Sequence, residues 1–341
     1  MGILVCGFMH LPAVLIIRER PRLTGAEQEM TSTIDLAPPT TLRIGTRGSR
    51  LALVQTNRVI DIIRERYPDV VCEAVVISTQ GDRDKQTPLS EIGGQAVFAK
   101  DLQQAVLTGE VDCGVHSAKD LTSTLPDGLV LAAILDRADP RDALISRHSG
   151  GLAGLPEGAR VGTSSRRRMA QLRLARPDLE PVDLRGNIDT RLAKVLEDPD
   201  GRYDAAIVAV AGLDRLGWAD RISEYLPVEV FTPAPSQGAL GVDCRTSDRA
   251  TRALLAEIAD AGATVEVEAE RAFLRTVGGG CRSPLAAHAR VEGEIVRMWC
   301  MYADETMDRI ATAEDEADVE DGNALGERLA RTLQDRVEVE E

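Results

Sequence analysis

The sequence predicts an α/β protein with two α/β domains joined at a hinge and a small α+β domain at the carboxyl end. Three observations carry that prediction. Strand-length aliphatic runs alternate with helix-length amphipathic runs, the pattern of parallel strands with crossover helices. The alternation breaks at Asp136–Asp142, around Pro140, and then restarts. The 341 residues hold two or three domains at roughly 150 residues each.

Regular pattern begins with Leu42–Thr46, a short strand. Ser49 offers a side-chain oxygen to the free N–H groups of a helix reaching about Arg66, with Leu53, Val59, Ile60 and Ile63 on its apolar face. Val71–Thr79 is a second strand, and Gly81–Gln95 has the polar, glycine-containing composition of a loop. A helix from about Ala99 to Leu107 leads to the strand Val111–Val115, and Leu129–Leu135 is another strand. Beyond the hinge, Arg160–Gly162, Leu179–Leu184 and Tyr203–Val210 read as strands, with Ser164–Arg176 and Asn187–Glu197 as helices. Phe231–Gln237 (FTPAPSQ), with its two prolines, looks like a crossing back to the first domain. An Ala/Glu-rich helix, Val265–Val277, then precedes Gly278-Gly279-Gly280-Cys281. Two strands around Glu292-Gly293 and an amphipathic helix carrying Leu325, Leu329 and Leu333 complete the third domain.

The domains are therefore expected at 41–137 with 238–258, at 138–237 and at 259–341. Residues 1–40 read as a disordered extension or as a start placed upstream of the true initiator, with Met30 the candidate. Met1–Ile17 is apolar, but its basic residues follow the run, the reverse of a secretory signal. It is also short for a membrane span.

Asp and Glu number 55 against 40 Lys and Arg, a net charge of −15 that repels nucleic acid and anionic membrane. Aromatics at 3% leave little material for stacking bases. An anionic ligand must therefore be held by a local basic cluster. Cys6, Cys72, Cys113, Cys244, Cys281 and Cys300 are scattered, without a CxxC, which fits a reducing cytoplasm better than a zinc ribbon or a disulfide framework. No HExxH occurs, so metal catalysis has no sequence support.

The basic cluster lies between Arg160 and Arg191, where eight arginines face four acids. Two helices in it start where strands end, at Thr163-Ser164-Ser165 and at Gly186-Asn187, and helix amino termini suit carboxylate or phosphate. Arginine adds bidentate carboxylate binding. Arg167, Arg168, Arg185 and Arg191 read as ligand-binding, while Arg173 and Arg176 read as a solvated helix face. Asp120, in His116-Ser117-Ala118-Lys119-Asp120, follows a strand end, where open α/β sheets place ligands. Such a carboxylate can stabilise a cation and shuttle a proton, or simply close a turn. His116 reads as structural. Three glycines free the backbone before Cys281, but spacing alone does not decide between a functional and a bland thiol there.

Several motifs, in order, settle what residue types alone leave open. Ile44-Gly45-Thr46-Arg47-Gly48-Ser49, Val115-His116-Ser117-Ala118-Lys119-Asp120, Val161-Gly162-Thr163-Ser164-Ser165, Leu184-Arg185-Gly186-Asn187, Ala209-Val210-Ala211-Gly212-Leu213 and Gly279-Gly280-Cys281 resemble the signatures of the porphobilinogen deaminases (hydroxymethylbilane synthases). The match runs collinearly from about Leu42 to the end of the chain. The resemblance implies two periplasmic-binding-protein-like domains around a hinged cleft and a third domain whose cysteine anchors a dipyrromethane cofactor through a thioether. It implies a transferase that joins four porphobilinogens on that cofactor, releasing ammonia and then hydroxymethylbilane, and it suggests a monomer. By the same resemblance Cys281 is the attachment site and Asp120 the catalytic carboxylate. Arg47, Lys119, Arg167, Arg168, Arg185, Arg191 and Arg215 bind acetate and propionate groups, with Arg47, Arg185, Arg191 and Arg215 on the substrate side. Ser49, Ser117, Thr163, Ser165 and Gly186 are neighbours of the cofactor. One departure stands out: Gly93-Gly94-Gln95 has Gln where the family commonly has Lys. A polycarboxylate-binding protein without catalysis is the alternative, though it gives Cys281 no role.

Overall fold

The computed structural model describes residues 37–79, 97–197, 201–278 and 284–338. The predicted extension lies mostly outside these residues, as does the predicted loop Gly81–Gln95. In the first domain β1 (Thr41–Thr46) leads to α1 (Arg50–Arg66), β2 (Val71–Val76), α2 (Val97–Thr108), β3 (Cys113–Ser117), a single 3-10 turn (Ala118–Asp120) and β4 (Leu129–Ile134). Ser49 caps α1 as its sequence position predicts, its side chain accepting from the Ala52 N–H. Val59, Ile60 and Ile63 bury against the sheet with Leu42 and Ile44. Leu53 does not join them and is 37% exposed.

The second domain holds β5 (Asp142–Ser146), β6 (Arg160–Gly162), α3 (Arg166–Ala175), β7 (Glu180–Val182), α4 (Ile188–Leu196), β8 (Ala205–Ala209), α5 (Val210–Arg215) and β9 (Glu224–Leu226). The chain then returns as β10 (Leu240–Arg245) and α6 (Arg249–Ala256). The two sheets share one plan, with orders β2-β1-β3-β10-β4 and β7-β6-β8-β5-β9. Alternation predicts wholly parallel pairing, and the structure corrects this. β10 lies antiparallel between β3 and β4, and β5 antiparallel between β8 and β9. Each is the strand nearest a hinge crossing, so it enters its sheet without a crossover helix to reverse the chain.

The third domain is α7 (Ala261–Val277), β11 (Leu285–Glu292), β12 (Ile295–Ala303), β13 (Ile310–Asp318) and α8 (Gly322–Glu338). Its antiparallel sheet is covered by α7 and α8, whose Phe273, Leu325, Leu329 and Leu333 form the core with Met298 and Cys300. Gly326 permits the close helix approach, since a Cβ there would run into the Ala269 carbonyl oxygen.

One carboxylate joins this domain to both hinge segments. Arg137 ion-pairs with Glu270 of α7 at 2.7 Å and with Glu266 at 3.2 Å. Glu270 also accepts the backbone N–H groups of Ser236, in the return crossing, and of Ala289, on β11. His288 Nδ1 lies 3.4 Å from it while its ring stacks on Trp299. Burial pushes the Glu270 carboxyl up, but Arg137 and His288 outweigh this and hold it below its ordinary range.

Candidate active site

The carboxyl ends of β1 and β3 open onto one small cavity of about 80 Å³, lined by Arg47, Ser49, Ser117 and Asp120 among others. The loop after β1 supplies the first two and the turn after β3 the last. Ser117 Oγ accepts from Gln55 Nε2 at 2.9 Å, which ties that turn to α1. His116, which also lines the cavity, has its Nε2 3.1 Å from Asp243 Oδ1, both side chains buried. Lys119, beside Asp120, has its Nζ 3.3 Å from Gln237 Oε1. Burial pulls the Lys119 ammonium down to about 8, helped by Arg168 and Arg167 and resisted by Asp120 and Asp142.

The same Lys119 thus feels the basic cluster of the second domain. There β6 ends at Gly162, and Ser165 caps α3 by accepting from the Arg168 N–H. Thr163 Oγ1 accepts from the Ser165 N–H at 3.2 Å, so both hydroxyls shape the helix start. Arg167 and Arg168 occupy its first turn and are buried, at 6% exposure each. Both guanidinium groups grip Asp142, at 2.8 and 2.6 Å. Burial pushes the Asp142 carboxyl up, yet the two arginines hold it well below the usual carboxylate range. Two buried cations share one anion, leaving a unit of positive charge in a low-dielectric site. Among the described residues the Nε atoms of both arginines have no hydrogen-bond partner, and both atoms are closed off from solvent. The surplus charge is therefore left over for an anionic ligand.

The junction before α4 is built similarly. Gly186 has φ 120, and a Cβ there would meet Thr190 at 2.8 Å, so the turn favours glycine. Asn187 caps the helix by accepting from the Thr190 N–H at 3.0 Å. Arg191 Nε donates to the Gly186 carbonyl at 2.8 Å. Burial, with Arg168 and Arg185 nearby, lowers Arg191 to about 10. Arg185, half-buried, belongs to this group through that mutual repulsion. Arg215, at the end of α5, stands by the hinge and donates to the Gly238 carbonyl at 2.6 Å. Burial lowers it to about 10 against the pull of Asp136 and Asp214.

The solvated-face reading of Arg173 and Arg176 needs amendment. Arg173 is exposed but donates to the Thr306 carbonyl of the third domain, and Arg176 clasps Asp178 and the carbonyls of Leu152 and Leu155. Cys281 and the Gly93-Gly94-Gln95 segment lie outside the described residues; α7, which leads toward Cys281, closes at Gly278 with φ 70. Asp142 and Gln237 join the site without having been singled out as ligands. The one available sequence signal for Asp142 is a carboxylate opening an apolar strand, DALIS. Among the described residues there is no cluster of three or more metal-binding side chains, and no helix is long and apolar enough to cross a membrane.

Comparison with known proteins bears directly on this geometry. The family model for the dipyrromethane cofactor binding domain of porphobilinogen deaminase matches residues 42–253, and that for the C-terminal domain of the same family matches residues 264–335. The chain is 49% identical over 298 residues to the porphobilinogen deaminase of Xanthomonas axonopodis pv. citri (strain 306), covering 87% of this chain and 97% of that protein. It is 46% identical over 292 residues to that of Syntrophotalea carbinolica (strain DSM 2380), covering 86% and 92%. Among solved structures, the methionine-binding protein MetQ aligns with a TM-score of 0.40 at 13% identity, covering 64% of this chain and 90% of that one.

Proposed function

The chain belongs to the porphobilinogen deaminase family, and from that premise we propose how its residues divide the work. The enzyme joins four porphobilinogen molecules head to tail on a covalently bound dipyrromethane primer, releases ammonia, and frees hydroxymethylbilane by hydrolysis. The alternative of a polycarboxylate-binding protein without turnover gains no support from these relatives.

The observation that carries the residue assignment is the surplus charge of Arg167 and Arg168 over Asp142, within electrostatic reach of Lys119. Each pyrrole carries two carboxylates, so a dipyrromethane matches charge of this kind. When bound, it supplies the end from which the chain grows. Arg167, Arg168, Lys119, Arg47 and Arg185 hold its carboxylates, with Ser49, Ser117, Thr163, Ser165 and Gly186 beside them. Arg47, Arg185, Arg191 and Arg215 receive the acetate and propionate of the incoming porphobilinogen. Asp120 stabilises the positive charge left on the substrate when ammonia departs, by holding its carboxylate next to the pyrrole N–H. Cys281 anchors the primer, because a thiolate is a suitable nucleophile for a methylene electrophile.

We place the enzyme in the cytoplasm as a monomer. Four of its cysteines, Cys72, Cys113, Cys244 and Cys300, are free and buried. We set the domain limits at 137/138 and 237/238, in the two hinge crossings, and at 258/259, between α6 and α7. The test is an intact mass measured on protein made in cells that supply porphobilinogen. The chain should weigh more than its sequence by two linked pyrroles, with the increment on the Cys281 peptide. Cys281→Ala should have the unmodified mass and no activity. An unmodified parent, with activity intact in Cys281→Ala, would overturn the assignment.

A further inference from the structure

The return crossing ends in a side chain that the chemistry above leaves unused. Gln237 is 1% exposed, and its amide is occupied on both sides. Oε1 accepts from Lys119 Nζ at 3.3 Å. Nε2 donates to the Pro140 carbonyl at 2.8 Å and to Asp142 Oδ1 at 2.9 Å. The backbone beneath it is held as firmly. Its carbonyl accepts from Arg137 Nε at 3.0 Å, and its N–H donates to the Ala234 carbonyl at 2.9 Å. Ser236, just before it, has φ 64, a conformation a non-glycine residue keeps only where its surroundings impose it. Here Glu270 imposes it by accepting the Ser236 N–H.

One amide therefore spans the hinge. On one side stands Lys119, the neighbour of Asp120 in the turn after β3. On the other stands Asp142, which grips both Arg167 and Arg168. Only a neutral group that both donates and accepts can satisfy an ammonium and a carboxylate at once. A carboxylate in its place would face Asp142, and a cation would face Lys119.

We propose that Gln237 is a positioning residue that sets the offset between the Asp120 turn and the Arg167–Arg168 pair, through Lys119 on one side and Asp142 on the other. The arginines fix the carboxylates of the pyrrole chain, and Asp120 must meet the cation that forms on the next pyrrole. The distance between those two groups decides whether a bound substrate is placed to react. This inference rests on the role of Asp120 given above.

The test uses the cofactor-bearing enzyme with Gln237→Met and Gln237→Glu, and Asp120→Ala in parallel. Met keeps the length and loses every amide hydrogen bond. Glu keeps the acceptor for Lys119 and loses the donated bonds. Both should lower kcat by about 10- to 100-fold, the penalty of a misplaced reacting group. KM should stay within about threefold, because the side chains hydrogen-bonded to the Gln237 amide, Lys119 and Asp142, serve the cofactor side of the site. The thermal midpoint should fall by several degrees in both, because buried partners lose their hydrogen bonds, while both proteins stay folded at the assay temperature. Near-parental kcat in Gln237→Met, or full activity in Gln237→Glu, would overturn the spanning role. Parallel loss of folding and activity in both would make Gln237 merely structural and overturn it equally. If Asp120→Ala keeps its turnover, the underlying reading fails instead, and the two failures are told apart in one set of assays.

Discussion

Replacing Glu270 by Ala should cost the fold more than any other single carboxylate removed from the third domain. The side chain is fully buried and answers to Arg137 at 2.7 Å, to two backbone N–H groups and to His288. Removing one partner of a buried ion pair costs about 3–5 kcal/mol, because the remaining charge stays buried without its counter-ion. At about 2–4 °C per kcal/mol for a chain of this size class, the thermal midpoint should fall by about 6–20 °C. Glu266→Ala is the matched control. Its carboxylate also meets Arg137, at 3.2 Å, and accepts from the Val291 N–H, but Arg137 keeps Glu270 when it goes. That variant should cost only about 1 kcal/mol. Acid adds a second reading. The Glu270 carboxyl is held below its ordinary value of 4.5, so its stabilisation is complete above that pH and is lost as pH falls through the folded value. The gap between parent and Glu270→Ala should therefore narrow below pH 4.5. Thermal melts of the three proteins from neutral pH to acid decide the matter. Equal losses from the two variants, or a gap that does not change with pH, would refute the reasoning.

Asp120→Ala should lower kcat by about 10²–10³, the usual loss for one electrostatic stabiliser, with the thermal midpoint unchanged; activity within a factor of ten of the parent would contradict its role. Arg168→Leu should impair chain growth on the cofactor and also lower the midpoint, because it strips Asp142 of one guanidinium and leaves the Ile207 carbonyl without its donor. Arg191→Leu should weaken engagement with a smaller effect on stability, since Arg191 is half-buried and its side chain donates to the Gly186 carbonyl, as steady-state kinetics and melts will register. Lys119 gives up its proton as pH rises through about 8, so its attraction for carboxylates is present below that pH and lost above it. Its hold on the cofactor carboxylates should therefore weaken from pH 7 to 9, with kcat falling in the parent and staying flatter in Lys119→Arg, whose charge persists.

Much of this architecture can be read from periodicity and caps. Ser49, Ser165 and Asn187 each stand where a helix starts, and each caps it in the structure. The direction of β5 and β10 could not be read, because local alternation records which face a residue occupies and not which neighbour a strand meets. Short strands such as Glu224–Leu226 and the six-residue helix Val210–Arg215 carry too few residues to display a period. The charge excess between Arg160 and Arg191 pointed to the basic side of the site. Its partial neutralisation did not show, because Asp142 lies on the other side of the sheet order, in a strand that reads as apolar. Gln237 was visible only as the end of a proline-rich crossing, since an amide has no chemistry until its two partners are known.

The placement of β10 has a consequence for synthesis on the ribosome. β4 hydrogen-bonds to β10 within its sheet, yet the whole of the second domain is translated between them. The nascent first domain must therefore wait, with β3 bare along one side and β4 unpaired, while β5 to β9 emerge as one contiguous stretch and close their own sheet. Bare strand edges recruit foreign strands, so the first domain is most exposed to misassembly in that interval. A chain stopped before Leu240 should carry a finished second domain beside an unfinished first one.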